Sequence, residues 1–516
     1  RDGHAIPHPQ LEIRQQATLH GPLIREHTML QSFNARTQEP FGSSIAPTSA
    51  AELEAAIQAA DLAFDTWQAS DGATRAKLLN ALAEAIEHDR EKLVELADTE
   101  TGLGPVRLNG ELDRTAFQLR RFATLAETGG AFAFTDDPAV AGAPPAGHPH
   151  MMRVRVPLGP VAMFSASNFP FAFSVLGGDT ASALAAGCSV VVKAHSGHLH
   201  TSQRVFEQSQ HAIAKLGLPK GLLQMVQGAG NDVGVNLIKH PRIAAGAFTG
   251  STRGGAALRD AARARVRPIP FYGELGSINP VVATPAALKA GGDALVQTLA
   301  GSITLGCGQF CTNPGLLVLQ RSAESTEFVN HLVEALKTQK PHAMLTKAMR
   351  QSLDHGTAAQ LAAGAKALLH TPVAEINPNP YLAEVDAATF MAQHALQEEV
   401  FGPATLVVWT DSVEQTLDVL HTVGGSLTVT LWGAEQESAD AKRLVRGSTA
   451  IAGRVLFAGV PTGVAVTAAQ QHGGPWPSST EPMTTSVGDA ALDRFLRPVC
   501  LQDMPAWLHK RQGQPC

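Results

Sequence analysis

Cysteine is scarce in this chain: five residues in 516, an odd number without regular spacing. That excludes the disulfide-stapled scaffold of a small secreted protein. Long hydrophobic runs are also missing, and none approaches the roughly 20 apolar residues of a membrane span. The opening stretch "RDGHAIPHPQLEIRQQ" lacks the apolar core of a signal peptide. Charge of one sign is lacking as well. The net charge of −6 is spread along the chain, which argues against nucleic acid or an anionic membrane as partner. Aromatic residues make up only 5 %, while alanine and glycine are abundant, a balance suited to helices packed closely on a sheet.

What is present is 44 % hydrophobic and 17 % charged, the composition of a globular protein, and 516 residues are too many for one hydrophobic core. Two or three domains and a cytoplasmic location are expected. Met29 is the expected natural start, with residues 1–28 an upstream extension.

The pattern changes along the chain. Residues 47–68 open with Ser49 and Glu52 in capping-box spacing and continue with Ile57, Ala60, Phe64 and Trp67 at helical intervals. Residues 74–98 and 110–128 read as two further amphipathic helices, and the Gly/Pro/Ala-rich stretch 129–150 as a crossing or arm. From 151 onward short apolar strands ("RVRVPLGPVAMFSA", "CSVVVKAH", "IAAGAFTGS") alternate with helices near 170–187, 200–216 and from 251, the sign of a doubly wound α/β domain. After 287 a long helical stretch is expected to carry a cysteine pair, followed by mixed α/β structure to about 470 and a Gly/Pro/Ser-rich loop.

Several short segments carry chemistry. Gly250 and Ser251 in "AGAFTGSTRGG" follow an apolar strand and open a helix, a geometry that offers amides to a phosphate; an ordinary strand–helix turn reads the same way. Lys193 ends the strand "VVVK", at the sheet edge where α/β proteins bind ligands. Asn168 in "SASNFP" offers an N–H donor that an oxyanion needs, or caps a turn. Glu274 in "PFYGELGSINP" lies among apolar residues that could raise its pKa for work as a general base. Cys307 and Cys311 in "LGCGQFCTNPG" admit three readings: metal ligands, a disulfide, or a nucleophile with an accessory thiol. No second Cys or His pair at ligand spacing accompanies them, so no metal is expected.

Together with "EEVFGP" at 398–403, these segments resemble the aldehyde dehydrogenase superfamily, in order, from about residue 40 to 500. The resemblance implies an α/β fold with a Rossmann-type cofactor domain (29–128 and 152–286), an α/β catalytic domain (287–470), and a β oligomerisation arm with a C-terminal segment (129–151 and 471–502). It implies NAD or NADP as cofactor and a homodimer or homotetramer. Cys311 matches the nucleophile, Asn168 and the Cys311 amide the oxyanion hole, and Glu274 the base that activates water. Lys193, Gly250, Ser251, Glu399 and Phe401 match cofactor contacts. Ser196 stands where many NAD-specific relatives carry a glutamate, so NADP is allowed, with His195 a neighbour that could assist.

The segments "SASNFP", "FYGELGSINP", "GQFCTNPG" and "HGGPWPSS" are most similar to the subgroup that oxidises α-ketoglutaric semialdehyde (2,5-dioxopentanoate). A carboxylated substrate wants an arginine. Arg114 on the helix "GELDRTAFQLRRFA" is nominated, against the alternative that it pairs with Glu111, with Arg120 in reserve; Phe169 and Phe173 are expected along the same tunnel. The alternatives are a long-chain or broad-specificity aldehyde dehydrogenase, an acyl-CoA-forming relative, and a cofactor-independent esterase.

Overall fold

The computed structural model describes residues 29–508; the extension expected at 1–28 lies outside them. A five-stranded, all-parallel sheet runs in the order Leu223–Val226, Val190–Lys193, Val161–Phe164, Ala245–Thr249, Phe271–Glu274. By position in the chain that order is third, second, first, fourth, fifth, so the direction of winding reverses between Val161–Phe164 and Ala245–Thr249. Ligand crevices in such sheets open beyond the strand C-termini at this reversal. Val190, Val191 and Val192 are fully buried, as an apolar run covered by helices on both faces must be.

A second sheet of seven strands runs Lys366–Leu369, Tyr381–Asp386, Ala404–Thr410, Leu316–Gln320, Pro280–Ala283, Ser426–Trp432, Ala452–Leu456, parallel except for its first pair. A three-stranded antiparallel sheet joins Leu496–Gln502, Met151–Pro157 and Thr135–Asp137. The domain boundaries read from the sequence shift accordingly. Strand Pro280–Ala283 belongs to the seven-stranded sheet, so the chain changes sheet within 275–279 and not at 287. Residues 152–157 belong to the three-stranded sheet. Residues 478–480 return to the five-stranded sheet, with Leu275 N donating to Ser478 O at 2.8 Å and Thr480 N to Gly273 O at 3.0 Å.

Local rules explain the helix ends. Helix Ala50–Trp67 begins with both halves of a capping box: Ser49 N donates to Glu52 Oε2 (2.8 Å) and Glu52 N to Ser49 Oγ (3.3 Å). The helix expected over 74–98 is two helices, Gly72–His88 and Arg90–Thr101, broken at Asp89, whose carboxylate is held by Arg204. The helix expected from 170 begins only at Gly178. The N–H groups of Phe171 and Ala172 are taken by the buried Glu111 carboxylate at 2.8 and 3.0 Å, so 169–177 is held in turns.

The wholly buried helix Gly178–Ala186 is locked to the C-terminal segment by Arg494, whose Nη2 donates to Asp179 Oδ1 at 2.7 Å with both side chains almost inaccessible. Removing one member strands a buried charge. Asp179→Ala is therefore expected to cost about 3–5 kcal/mol of stability, measured as the shift in urea midpoint at constant slope.

Candidate active site

Between the two sheets, two loops and one returning segment bring three reactive groups together. The first loop contains Cys311. The helix before it, Pro285–Thr304, ends ahead of the cysteine pair, which lies on a 3-10 turn and loop and not on the helix. Gly308 has φ +66, and a Cβ there would lie 2.1 Å from the Gly402 carbonyl, so only glycine fits. Asn279, fully buried, fixes this loop from the next element: its Nδ2 donates to the carbonyls of Cys311 (2.8 Å) and Asn313 (2.9 Å). Its Oδ1 accepts from Thr428 Oγ1 at 3.1 Å.

The second group is Glu274, at the C-terminal end of strand Phe271–Glu274 and buried. The third is His472, which the sequence reading did not select. Its Nε2 lies 3.5 Å from Cys311 Sγ and 3.0 Å from Glu274 Oε1. The approach to Oε1 lies off the hydrogen-bond direction, and Oε1 has no other donor. The other carboxylate oxygen accepts from Ser486 Oγ. The returning segment is itself braced, with His472 N donating to Thr485 Oγ1 at 2.8 Å and Ser486 N to His472 O at 2.9 Å.

The electrostatics correct one expectation. Burial does raise the Glu274 carboxyl, but the His472 ring, the Ser486 hydroxyl and the Cys311 thiol outweigh it, and the group ends below the ordinary carboxylate value. The cost appears at the thiol. Burial first, then the charge of Glu274, push Cys311 well above the usual cysteine value, with Arg114 opposing. Cys307, by contrast, is fully enclosed, at φ +59, and burial pushes its thiol up to about 12. The described cysteines Cys188, Cys307, Cys311 and Cys500 are all free thiols.

Asn168 is buried beside this centre, and its Nδ2 donates to the Gln309 carbonyl at 3.0 Å. Its own carbonyl accepts from Arg107 at 2.6 Å. Arg107, also unselected from the sequence, lies over the rings of Phe310 (4.5 Å) and Phe169 (4.9 Å). Phe169 packs on Phe173 at 5.2 Å and on Phe310 at 5.5 Å. Arg114 reaches the same aromatic group, 6.0 Å from the Phe173 ring, and donates through Nη1 to the carbonyl of Val464. It makes no ion pair with Glu111. Its Nε and Nη2 are buried without a partner. Arg120 is elsewhere: it forms a two-pronged pair with Glu87 on the surface (2.6 and 2.5 Å), which removes it as a candidate.

The nominated cofactor residues lie along the C-terminal edge of the five-stranded sheet or across from it. Lys193 ends its strand there, and burial lowers its pKa. Ser251 caps helix Thr252–Arg263, its hydroxyl accepting from Gly254 N at 3.2 Å, and Gly250 N is occupied by the Glu274 carbonyl at 3.1 Å. Glu399 and Phe401 line a narrow cleft with Ser277, Gly308 and Asn313. The Glu399 carboxylate lies against Gly276, where a Cβ would fall 2.4 Å from Oε2 and 3.0 Å from Thr252 Oγ1. Ser196 is exposed. His195 is held uncharged, its pKa lowered by enclosure to about 3, and its Nδ1 accepts from Gly197 N at 3.0 Å, which leaves Nε2 as its donor.

Comparison with known proteins gives a consistent picture. A family model described as "Aldehyde dehydrogenase family" matches residues 24–497. The chain is 41 % identical over 478 residues to an alpha-ketoglutaric semialdehyde dehydrogenase of Acinetobacter baylyi, covering 92 % of this chain and 90 % of that one. It is 43 % identical over 483 residues to alpha-ketoglutaric semialdehyde dehydrogenase 2 of Azospirillum brasilense, covering 92 % and 91 %. Among solved structures, an NAD-dependent aldehyde dehydrogenase from Sinorhizobium meliloti superposes with a TM-score of 0.79 at 22 % identity, covering 93 % of this chain and 92 % of that one.

Proposed function

The chain belongs to the aldehyde dehydrogenase family, and from that premise we propose that it oxidises 2,5-dioxopentanoate (α-ketoglutaric semialdehyde) to 2-oxoglutarate. The observation that carries the substrate is the guanidinium of Arg114. Nε and Nη2 form one edge of that group, the edge that binds a carboxylate through two parallel bonds. Here both donors are buried and unpartnered, while the opposite end is fixed on Val464. Buried unsatisfied donors are costly, so a site that leaves a matched pair open is built for an acceptor that arrives with the substrate. The names of the two relatives above 40 % identity support the same substrate.

In this reading Cys311 Sγ attacks the aldehyde carbon. A base within reach of the departing thiol proton is His472 Nε2, 3.5 Å from Sγ, backed by the Glu274 carboxylate. The Asn168 side chain turns from the Gln309 carbonyl to the new alkoxide, joined by the Cys311 N–H. A nicotinamide cofactor, when bound, supplies the hydride acceptor. Lys193, the first-turn amides at Thr252 and Arg253, and Glu399 with Phe401 are the residues that would hold it. No carboxylate at Ser196 repels a 2′-phosphate and no charged His195 attracts one, so NAD and NADP both fit. Water then cleaves the remaining thioester with Glu274 as base.

We also propose a cytoplasmic homodimer or homotetramer. Its pairing element would be the three-stranded sheet, whose outer strand Thr135–Asp137 exposes every residue and an unpaired edge.

The test is kcat/KM with both cofactors across carboxylated and neutral aldehydes of matched length. The carboxylated semialdehydes should win. Arg114→Ala should lower their kcat/KM by about 10–200-fold, the loss of about 1.5–3 kcal/mol expected for hydrogen bonds to a charged group. Neutral aldehydes of the same length should change little. Arg114→Lys keeps the charge without the fork and should recover only part. A preference for long neutral aldehydes would assign the enzyme to the long-chain branch.

A further inference from the structure

Cys311 Sγ, His472 Nε2 and Glu274 Oε1 all lie within 4.8 Å of one another, three different donor atoms converging from three separate segments of the chain. We propose that they form a binding site for a borderline-soft divalent cation of the zinc class, and that its occupation reversibly shuts the enzyme. The inhibitory consequence rests on the reading of Cys311 as nucleophile; the binding itself does not.

The donor set is that of zinc: one thiolate, one imidazole, one carboxylate. Tetrahedral zinc with bonds of about 2.3 Å to sulfur and 2.0–2.2 Å to nitrogen and oxygen separates S from N by about 3.6 Å and N from O by about 3.4 Å. The observed separations are 3.5 and 3.0 Å, so small side-chain movements admit the ion. Glu274 Oε1 is buried without a hydrogen-bond donor, and a cation would satisfy it. Outer partners orient the carboxylate and the histidine backbone, while the second ring nitrogen of His472, Nδ1, is buried without a protein partner. Ser486 Oγ holds the second carboxylate oxygen, and the backbone of His472 is tied on both sides to Thr485 and Ser486. Three protein ligands leave the fourth position of a tetrahedral ion to water. Binding exchanges one bond for another: the S–H bond breaks, an S–Zn bond forms, and the proton leaves to solvent. No change of oxidation state is involved. A thiol so held is neither nucleophilic nor open to oxidation, so the same ion that stops turnover protects the group.

The experiment uses the full chain, stripped with a chelator and titrated with zinc sulfate against a chromophoric chelator. Wild type should take one tight equivalent, lose activity in parallel, and resist alkylation of Cys311 by iodoacetamide, read by peptide mass. Excess chelator should restore both. Cobalt(II) in place of zinc should give thiolate-to-metal absorption in the near ultraviolet and the strong visible bands of four-coordination. Outer-sphere partners alone are worth about 10–100-fold in affinity, so removal of a direct ligand in His472→Phe should weaken binding by more than about 100-fold, and Cys311→Ala should abolish the thiolate band. Absence of that band in wild type overturns the proposal without reference to any variant, as does equal zinc affinity in wild type and His472→Phe. The dehydrogenase reading fails separately, by metal-free activity that survives in Cys311→Ala.

Discussion

Cys311→Ala is expected to abolish aldehyde oxidation, with kcat reduced by about 10⁶-fold, the loss seen when a covalent nucleophile is removed from a preorganised site. The assay is formation of reduced cofactor from the semialdehyde at saturating NAD or NADP. The physical reason is that nothing else near the substrate can make the covalent adduct. Cys307, the only thiol close in sequence, is enclosed and its pKa is pushed up to about 12. Cys307→Ala should therefore keep activity within a few fold, its cost showing in stability. Desolvation and the charge of Glu274 push the Cys311 thiol up, and His472 Nε2, 3.5 Å away, is placed to take its proton during attack. Ester cleavage by the wild type that needs no cofactor and outpaces oxidation would point to the esterase alternative, which also uses Cys311 and would be lost in Cys311→Ala.

The residues in this argument differ in how far they could be read from the chain. The nucleophile loop, Glu274, Asn168, Lys193 and the "FTGST" turn are contiguous patterns whose local geometry follows from the residues themselves: glycine where backbones touch, an apolar strand feeding a helix start. Ser49 and Glu52 show the same at the scale of one turn, since both halves of a capping box lie within four residues. His472 opens the segment "HGGPWPSS", noted for its resemblance, but nothing local singled out the histidine itself. It stands 161 positions from Cys311 and touches it only because residues 478–480 add to the edge of the five-stranded sheet and carry the preceding loop inward. The sign of the Glu274 shift failed for the same reason. Its apolar sequence neighbours predict desolvation, which is present, but the opposing partners His472 and Ser486 come from about 200 residues away. Asn279, Arg107 and the change of sheet at 275–279 were likewise invisible, because each is defined by what the chain meets after folding. Arg114 lies between these cases. Its place on a helix was legible, whereas its bond to Val464 in place of a pair with Glu111, which leaves Nε and Nη2 without a partner, belongs to the tertiary structure.

Glu274→Gln is expected to separate the two halves of the reaction. Glutamine preserves the size of the side chain and can still accept from Ser486, but it cannot hold a proton taken from water. The first turnover should proceed to the thioester and release close to one equivalent of reduced cofactor per active site. Steady-state turnover should then fall by about 10²–10⁴-fold, the usual worth of a general base. Rapid mixing reads the burst, and the acyl group trapped on Cys311 can be weighed by mass spectrometry after acid quench. The 3.0 Å contact between Glu274 and His472 makes the burst itself informative. If the carboxylate serves only water activation, the burst rate stays near that of wild type. If it also supports the imidazolium formed when Cys311 loses its proton, the burst slows as well, because a neutral amide no longer offsets that charge. His472→Phe should then slow the burst at least as much. A full-rate steady state in Glu274→Gln would instead remove Glu274 from hydrolysis and leave His472 as the group that activates water.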